Sequence, residues 1–279
     1  MSLHLSESEI VARASLLPAF PSIVNEILQK LDDDNATIGA LIHLVERDPV
    51  IAANVLAMAN AVAMAGRTQR DVHDIQVAVS LIGLAKVREI VLGVSLASFA
   101  RDGRLGNYFW EHSVAVGVAA QELARLARCS VDYALVCGLL HDIGQLFMAR
   151  CYPLEFQMVR MSMERDATLD LLDAERQHFG LDHCAIGTIL ASAWRLSPSV
   201  VAAIQHHHDM EPPADKLVAV THVGEALANA LDLARHDEAR VLNLSASACD
   251  LLGIDWSENL NYLFGKIEAR ARQLCRIFS

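Results

Sequence analysis

Apolar residues recur along this chain at the three- and four-residue spacing of amphipathic helices. Residues 22–31 and 37–45 show the pattern clearly, each stretch opening on a serine or threonine that can act as an N-cap. The apolar positions of the two stretches are Ile23, Ile27, Leu28, Leu31, Ile38, Leu41, Ile42 and Val45. No segment shows the strict two-residue alternation that is typical of a half-buried strand. The pattern therefore predicts an all-α protein.

A polar, glycine-containing segment at 101–107 interrupts this pattern and predicts a boundary between two helical lobes. Before it, we expect helices over 75–82 and 85–100. After it, the apolar spacing predicts helices near 107–128, 131–149, 153–164, 168–178, 183–194, 198–208, 215–236, 246–252 and 258–277. The predicted organisation is a helical N-terminal lobe over 1–103, a second lobe over 104–230 and a helical C-terminal extension over 231–279.

Residues suited to helix ends support several of these boundaries. Ser130, Thr168, Asp182 and Ser257 stand at predicted N-cap positions, and Gly180 stands where a helix should end. The expected helices thus have local start and stop signals as well as apolar faces.

Composition and charge narrow the classes of function. The 279 residues carry 23 Lys and Arg against 34 Asp and Glu, a formal net charge of −11. An acidic chain has no counterion-release drive toward nucleic acid, so we expect no nucleic-acid binding. The longest apolar stretch, residues 90–100, is too short to span a bilayer, so we expect no membrane segment. Six cysteines without a C-x-x-C pair favour a reducing, cytoplasmic location.

Histidines and carboxylates concentrate between residues 112 and 225, and several begin or continue apolar helix faces. His112 opens an apolar stripe of its predicted helix, His183 opens another, and the adjacent His141 and Asp142 follow an apolar run. His206–His208 and Glu225 complete the set. A single histidine on an apolar face is more often a core residue that bonds to a backbone carbonyl, and His206–His208 also fit a solvated helix end. Taken together, they favour a polar site assembled from several helices, in which imidazole and carboxylate ligands suit one or two Fe, Mn or Zn ions.

Short motifs occur in an order that resembles the HD superfamily of metal-dependent phosphohydrolases. They are Phe109-Trp-Glu-His-Ser113, Gly138-Leu-Leu-His-Asp-Ile-Gly144, Phe179-Gly-Leu-Asp-His183 and Ala203-Ile-Gln-His-His-His-Asp209. The N-terminal lobe is similar to the HDOD domain, the HD-related output domain of bacterial signalling proteins. This likeness rests on Leu17-Pro-Ala-Phe-Pro21, Glu46-Arg-Asp-Pro49, Leu56-Ala-Met-Ala-Asn60 and Ala78-Val-Ser-Leu-Ile-Gly-Leu84. The resemblance covers about residues 15–230 and makes 104–230 an HD-like metal-site lobe.

The resemblance implies a helical fold, a regulatory role and a set of metal ligands. The implied ligands are His112, His141, Asp142, His183 and His207, with Glu225 where the family pattern has Asp. His208, beside His207, and Gln145 are implied to lie in the second shell or to contact a phosphate. Gln145 replaces the phosphate-binding Lys of catalytic HD-GYP phosphodiesterases, and the Gly-Tyr-Pro element is absent, so hydrolysis of cyclic dinucleotides is disfavoured.

Two functions from different classes remain open. The first is a bacterial signal-transduction module that keeps an HD-type metal site and acts through a signalling protein partner. The alternative is a metal-dependent phosphohydrolase acting on a nucleotide or phosphodiester, in which Asp142 would be catalytic. A nucleotide ligand is compatible with both.

Overall fold

The computed structural model describes residues 3–14, 30, 37–65, 71–84, 86–87, 90–91, 106–166, 168–194, 196–211, 214–233, 244–256 and 261–278. Every regular element within these ranges is a helix, which confirms the all-α prediction. The helices are α1 (Glu7–Ala14), α2 (Ile38–Glu46), α3 (Pro49–Ala65), α4 (Ile75–Ile82), α5 (Gly106–Ala127), α6 (Val131–Leu140), α7 (Ile143–Cys151), α8 (Pro153–Arg165), α9 (Leu171–Phe179), α10 (His183–Ala193), α11 (Pro198–His206), α12 (Lys216–Ala230), α13 (Ala246–Leu252) and α14 (Asn261–Phe278).

The chain forms two compact units, and the smaller one comprises Ala19–Ser98. Its helices α2, α3 and α4 pack against one another. The Thr37 hydroxyl caps α2 by accepting from the Ala40 backbone N–H at 3.3 Å. The Asn60 side chain accepts from the Val72 N–H at 2.7 Å and donates to the Val72 carbonyl at 3.0 Å, which fixes the segment before α4. The expectations for residues 22–31, 85–100 and 101–107 lie largely outside the described residues.

The larger unit comprises Met1–Pro18 and Phe99–Ile277, and α5 is its central helix. Helix α5 packs along α6 and α12. Backbone approaches backbone where α5 meets α6, since a Cβ added to Gly138 would lie 2.6 Å from the Gly117 Cα. Two glycines at this crossing therefore allow α6 to lie close against α5 and carry the residues that follow α6 toward His112.

The N-terminal segment belongs to this larger unit. The Leu3 and Leu5 backbone N–H groups donate to the carbonyls of His178 and Phe179 at 2.8 and 3.0 Å, and Ile10 on α1 is fully buried. Helix α1 contacts α10. This placement differs from the expected lobe over 1–103, because backbone bonds to a segment 175 residues away leave no local signal in the sequence.

The residues after 230 pack on the same unit. Helix α13 contacts α12, and α14 is joined to α5 through the buried Glu122 carboxylate. Lys266 donates to Glu122 at 2.8 Å, and Arg270 bonds to both Glu122 and Gln121. The described part of the predicted extension over 231–279 is thus tied to the helix that carries His112.

Several predicted helices differ in detail from those observed; the one expected over 215–236, for example, ends at Ala230. The helix expected over 131–149 is two helices, since the chain turns at His141 and Asp142 between α6 and α7. The helix expected to start near Thr168 starts at Leu171 instead, because Asp170 caps α9 by accepting from the Leu172 N–H. The caps at Ser130 and Asp182 and the left-handed Gly180 are confirmed. Ser257 lies outside the described residues.

One stretch of the described residues, Tyr133–Cys151, is long and apolar enough to cross a membrane by length and composition. It is 83% buried inside the protein and contains the turn between α6 and α7. These are the properties of core helices, whose apolar surface is covered by other helices.

Candidate metal centre

Six helices and the turns beside them bring all six predicted ligands together in the larger unit. His112 lies on α5, His141 and Asp142 form the turn between α6 and α7, and His183 is the first residue of α10. His207 follows α11, and Glu225 lies on α12. All six are buried, with exposures between 0 and 6%. The inward orientation inferred from the apolar stripes is therefore observed.

The Asp142 carboxylate stands between two pairs of histidines. Its Oδ2 atom is 3.6 Å from His112 Nε2 and 3.2 Å from His141 Nε2. Its Oδ1 atom is 3.3 Å from His183 Nε2 and 3.7 Å from His207 Nε2. Each carboxylate oxygen thus faces two imidazole nitrogens from different elements.

Hydrogen bonds at the opposite ring nitrogen fix three of these imidazoles. His141 Nδ1 donates to the Gly138 carbonyl at 2.7 Å, and His207 Nδ1 donates to the Ile204 carbonyl at 2.8 Å. His183 Nδ1 lies 2.7 Å from the Glu175 carboxylate. A carbonyl accepts only from a protonated nitrogen, so in the neutral rings of His141 and His207 the Nε2 lone pair faces the centre. Histidines that bind metals are commonly held in this way.

Buried atoms without hydrogen-bond partners show that the donor set fits a metal ion. His141 Nε2, His208 Nε2 and Glu225 Oε2 are buried and make no hydrogen bond to the part of the chain that the structure describes. The Nε2 atoms of His183 and His207 are 3.3 Å apart. Two nitrogens at about 2.05 Å from one tetrahedral ion would be about 3.3 Å apart, so this pair already has the spacing of two ligands. Imidazole with carboxylate is a ligand set that suits transition metals.

The histidines around Asp142 favour its ionised form. Burial opposes ionisation, but His141, His207 and His183 outweigh it and hold the pKa of Asp142 well below its ordinary value. Burial also opposes protonation of His183, yet Cys184 and Glu175 raise its pKa well above the usual value. In the metal-free chain His183 therefore binds a proton that an incoming cation must displace.

The pKa values of Glu225 and His208 are shifted in the direction that favours the neutral form of each buried side chain. Burial raises the pKa of Glu225, which faces His208 with Oε1 4.0 Å from the His208 Nε2 atom. Burial, and then the neighbouring His207 and His183, lower the pKa of His208 well below its usual value. His208 is therefore a neutral imidazole beside a carboxyl group.

Close contact between α7 and α10 positions the two halves of the centre. A Cβ added to Gly144 would lie 2.0 Å from the His183 carbonyl oxygen, so only glycine fits there. Gln145, one residue on, donates from Nε2 to Asp142 Oδ1 at 2.9 Å. Gln145 thus orients the carboxylate.

Two participants were not foreseen from the sequence. Glu175 is fully buried and accepts from both the ring Nδ1 and the backbone N–H of His183, at 2.7 and 2.8 Å. The second is Cys184, a buried thiol to which the sequence motifs assign no role. Burial opposes ionisation, but His183 and His207 lower the pKa of Cys184 to about 7. The adjacency of Cys184 to His183 was the available signal.

His222 joins the centre to the segment that precedes α13. Its Nδ1 atom lies 2.6 Å from the His207 carbonyl, and its Nε2 accepts from the Ser245 backbone N–H at 3.0 Å. The Ser245 hydroxyl donates to the Met210 carbonyl at 2.7 Å. His222 is buried and supports the turn that carries His207.

Solved structures share this fold over nearly the whole chain. An HDOD domain protein of unknown function from Geobacter sulfurreducens is 26% identical, with a TM-score of 0.73, and the match covers 96% of this chain and 99% of that one. A candidate phosphohydrolase from Shewanella amazonensis SB2B is 22% identical, with a TM-score of 0.73, and covers 97% and 98% of the two chains. At that identity, the second match establishes the fold alone.

Sequence relatives extend beyond the region of similarity. An uncharacterized protein of Treponema pallidum is 25% identical over 209 residues, which are 73% of this chain and 40% of that protein. The chain spans less than half the length of the curated relatives it matches. The sequence profile of the HDOD domain matches residues 17–210, well over half of the chain and most of the centre described above. The chain therefore belongs to the HDOD domain family.

Proposed function

We propose that this chain is a bacterial regulatory HDOD module that binds one or two divalent transition-metal ions and acts through contacts with a signalling protein. The observation that carries the metal site is the arrangement of four imidazole nitrogens around the two oxygens of Asp142. Fe, Mn and Zn are the ions whose ligand preferences match imidazole and carboxylate together.

The two sides of Asp142 suggest two ligand groups. His112 and His141 with Asp142 Oδ2 would hold one ion, and His183 and His207 with Asp142 Oδ1 would hold the other. Glu225 is grouped with His141 and His207, their donor atoms lying within 4.8 Å of one another. We therefore assign Glu225 as the carboxylate that completes the first position.

The alternative function is a metal-dependent phosphohydrolase acting on a nucleotide or phosphodiester. It is favoured by the position of Asp142, whose two oxygens face different histidine pairs and could bridge two ions. Bound ions would polarise a phosphate oxygen and lower the pKa of a water molecule. Asp142 would be the catalytic carboxylate. His208, whose Nε2 makes no hydrogen bond, is the group that remains available to a phosphate, since Gln145 already bonds to Asp142.

The charges around Asp142 favour the regulatory role. Phosphoryl transfer depends on neutralising charge on the transferred group, and active sites usually add Lys or Arg to the metal ions. Among the described residues, the ion-pair partners of Asp142 are all histidines. Arg176, on α9, bonds to Asp182 and Asp173 instead.

Hydrolysis assays on metal-loaded protein separate the two functions. The full chain is reconstituted with Mn²⁺, Fe²⁺ or Zn²⁺, occupancy is checked by elemental analysis, and a panel of nucleotides, phosphodiesters and cyclic dinucleotides is offered. We expect bound metal with weak or absent turnover. Robust turnover that Asp142→Ala abolishes and the control His206→Ala preserves would contradict the regulatory role and establish the enzyme.

The remaining expectations about partners stay predictions. A nucleotide is a candidate ligand in either role, and the net charge of −11 continues to argue against nucleic acid. We expect no membrane contact and a cytoplasmic location.

A further inference from the structure

Cys184 is a buried thiol beside the metal centre to which the proposed ligand set gives no role. It is the second residue of α10 and is 6% exposed. Its Sγ atom lies 3.9 Å from Nδ1 and 4.0 Å from Nε2 of His207. Because His207 Nδ1 already donates to the Ile204 carbonyl, the ring has no second N–H to offer the sulfur when neutral.

This sulfur lies close to the nitrogen ligands of the proposed metal position. Zinc binds sulfur at about 2.3 Å and imidazole nitrogen at about 2.05 Å, so two such ligands of one tetrahedral ion are about 3.6 Å apart. The observed 4.0 Å to His207 Nε2 is a few tenths of an ångström longer, and the sulfur is equally close to Nδ1, so it lies over the imidazole and moves toward the Nε2 side when it binds the ion. Donor atoms of His183, Cys184, His207 and His208 all lie within 4.8 Å of one another.

An independent feature of the same group also indicates a missing partner. The His208 Nε2 atom is buried and makes no hydrogen bond. A buried polar nitrogen without a partner costs free energy, which coordination or a hydrogen bond to a bound species would recover. His208 and Cys184 thus lie near the His183 and His207 nitrogens, and both offer an atom that can bind a metal ion.

We propose that the Cys184 thiolate is a ligand of the metal ion held by His183 and His207. The inference rests on the proposed metal site and adds sulfur to its imidazole and carboxylate ligands. When the sulfur–metal bond forms, the thiol releases its proton to solvent, and no oxidant or reductant takes part. A thiolate selects softer ions, so this position is expected to prefer Zn²⁺ over Mn²⁺ or Mg²⁺.

X-ray absorption spectroscopy of the zinc-loaded full chain tests this ligand without any measurement of activity. The spectrum should contain a sulfur shell at about 2.3 Å in addition to nitrogen and oxygen at about 2.0–2.1 Å. Cys184→Ser should lose the sulfur shell and keep the nitrogen shell. Cys137→Ser, which removes another buried thiol, on α6, should leave both shells unchanged.

The possible outcomes separate this inference from the proposed function. Bound zinc in the unmutated chain with nitrogen and oxygen ligands alone would overturn the role of Cys184 and leave the metal site standing. A sulfur shell that persists in Cys184→Ser would also overturn it, because the zinc would then be held by another cysteine. Failure of the unmutated chain to retain zinc would overturn both. The decisive spectrum is that of the unmutated chain, so it does not depend on whether a variant folds.

Discussion

Replacing Glu175 with glutamine should weaken metal binding although Glu175 is not itself a proposed ligand. Its Oε2 atom accepts from His183 Nδ1 at 2.7 Å and from the His183 backbone N–H at 2.8 Å. Both bonds orient the ring so that Nε2 faces Asp142. Glutamine keeps an oxygen acceptor but loses the carboxylate charge, and mutation of such outer-shell partners typically lowers metal affinity about 10–100-fold. At 1.4 kcal/mol per tenfold change, Glu175→Gln should cost about 1.4–2.8 kcal/mol of binding free energy.

Competition with a chromophoric chelator measures this change directly. The titrations are run at several pH values, because Glu175 also raises the pKa of His183 and so increases proton competition in the unmutated chain. The loss of affinity should be largest at high pH, where the proton no longer competes and orientation alone counts. Glu164→Gln, an exposed change on α8, is the control. A zinc affinity within about twofold of the unmutated chain at high pH would refute the argument from outer-shell orientation.

Five other perturbations have outcomes that follow from the structure. Gly144→Ala should destabilise the fold by at least about 1–3 kcal/mol in urea titrations, since its Cβ would lie 2.0 Å from the His183 carbonyl oxygen. Gly265→Ala on α14, with nothing within 4 Å, should instead be neutral or stabilising by about 0.5–1 kcal/mol. Excess Zn²⁺ should raise the Tm and chelator should lower it; identical melting curves would contradict occupancy. Metal affinity should fall as pH is lowered, because His183 and His207, whose pKa values are raised, then bind protons; a flat pH profile would oppose this. Glu122→Gln should cost about 1–3 kcal/mol at neutral pH, with a smaller difference at low pH, because the pKa of Glu122 is lowered and its contribution disappears as the carboxylate is protonated.

The helices were predictable because their signals are local. The Asp182 cap and the left-handed Gly180 lie within a few residues of the boundaries they set. The turn at His141 and Asp142 was not predictable in the same way, because apolar residues continue on both sides of it.

The ligand types were predictable from the sequence, whereas their supports were not. His112 and His183 begin apolar stripes, which indicates inward orientation. Glu175, in contrast, has no sequence signal that distinguishes it from an exposed polar residue of a short helix. Its role follows only from its bonds to His183. The attachment of α14 through Glu122 and Lys266 joins residues 144 apart, and sequence periodicity carries no information about such contacts.

The metal content of the full chain, purified without chelator and then reconstituted, shows directly whether the histidine and carboxylate centre holds metal ions. Elemental analysis after removal of loosely bound ions should find one to two equivalents of Fe, Mn or Zn per chain. His141→Ala removes a nitrogen that makes no hydrogen bond in the centre and should reduce that content, while His206→Ala, whose ring bonds to Asp209, should not. Substoichiometric metal in the unmutated chain, unchanged by His141→Ala, would contradict the account.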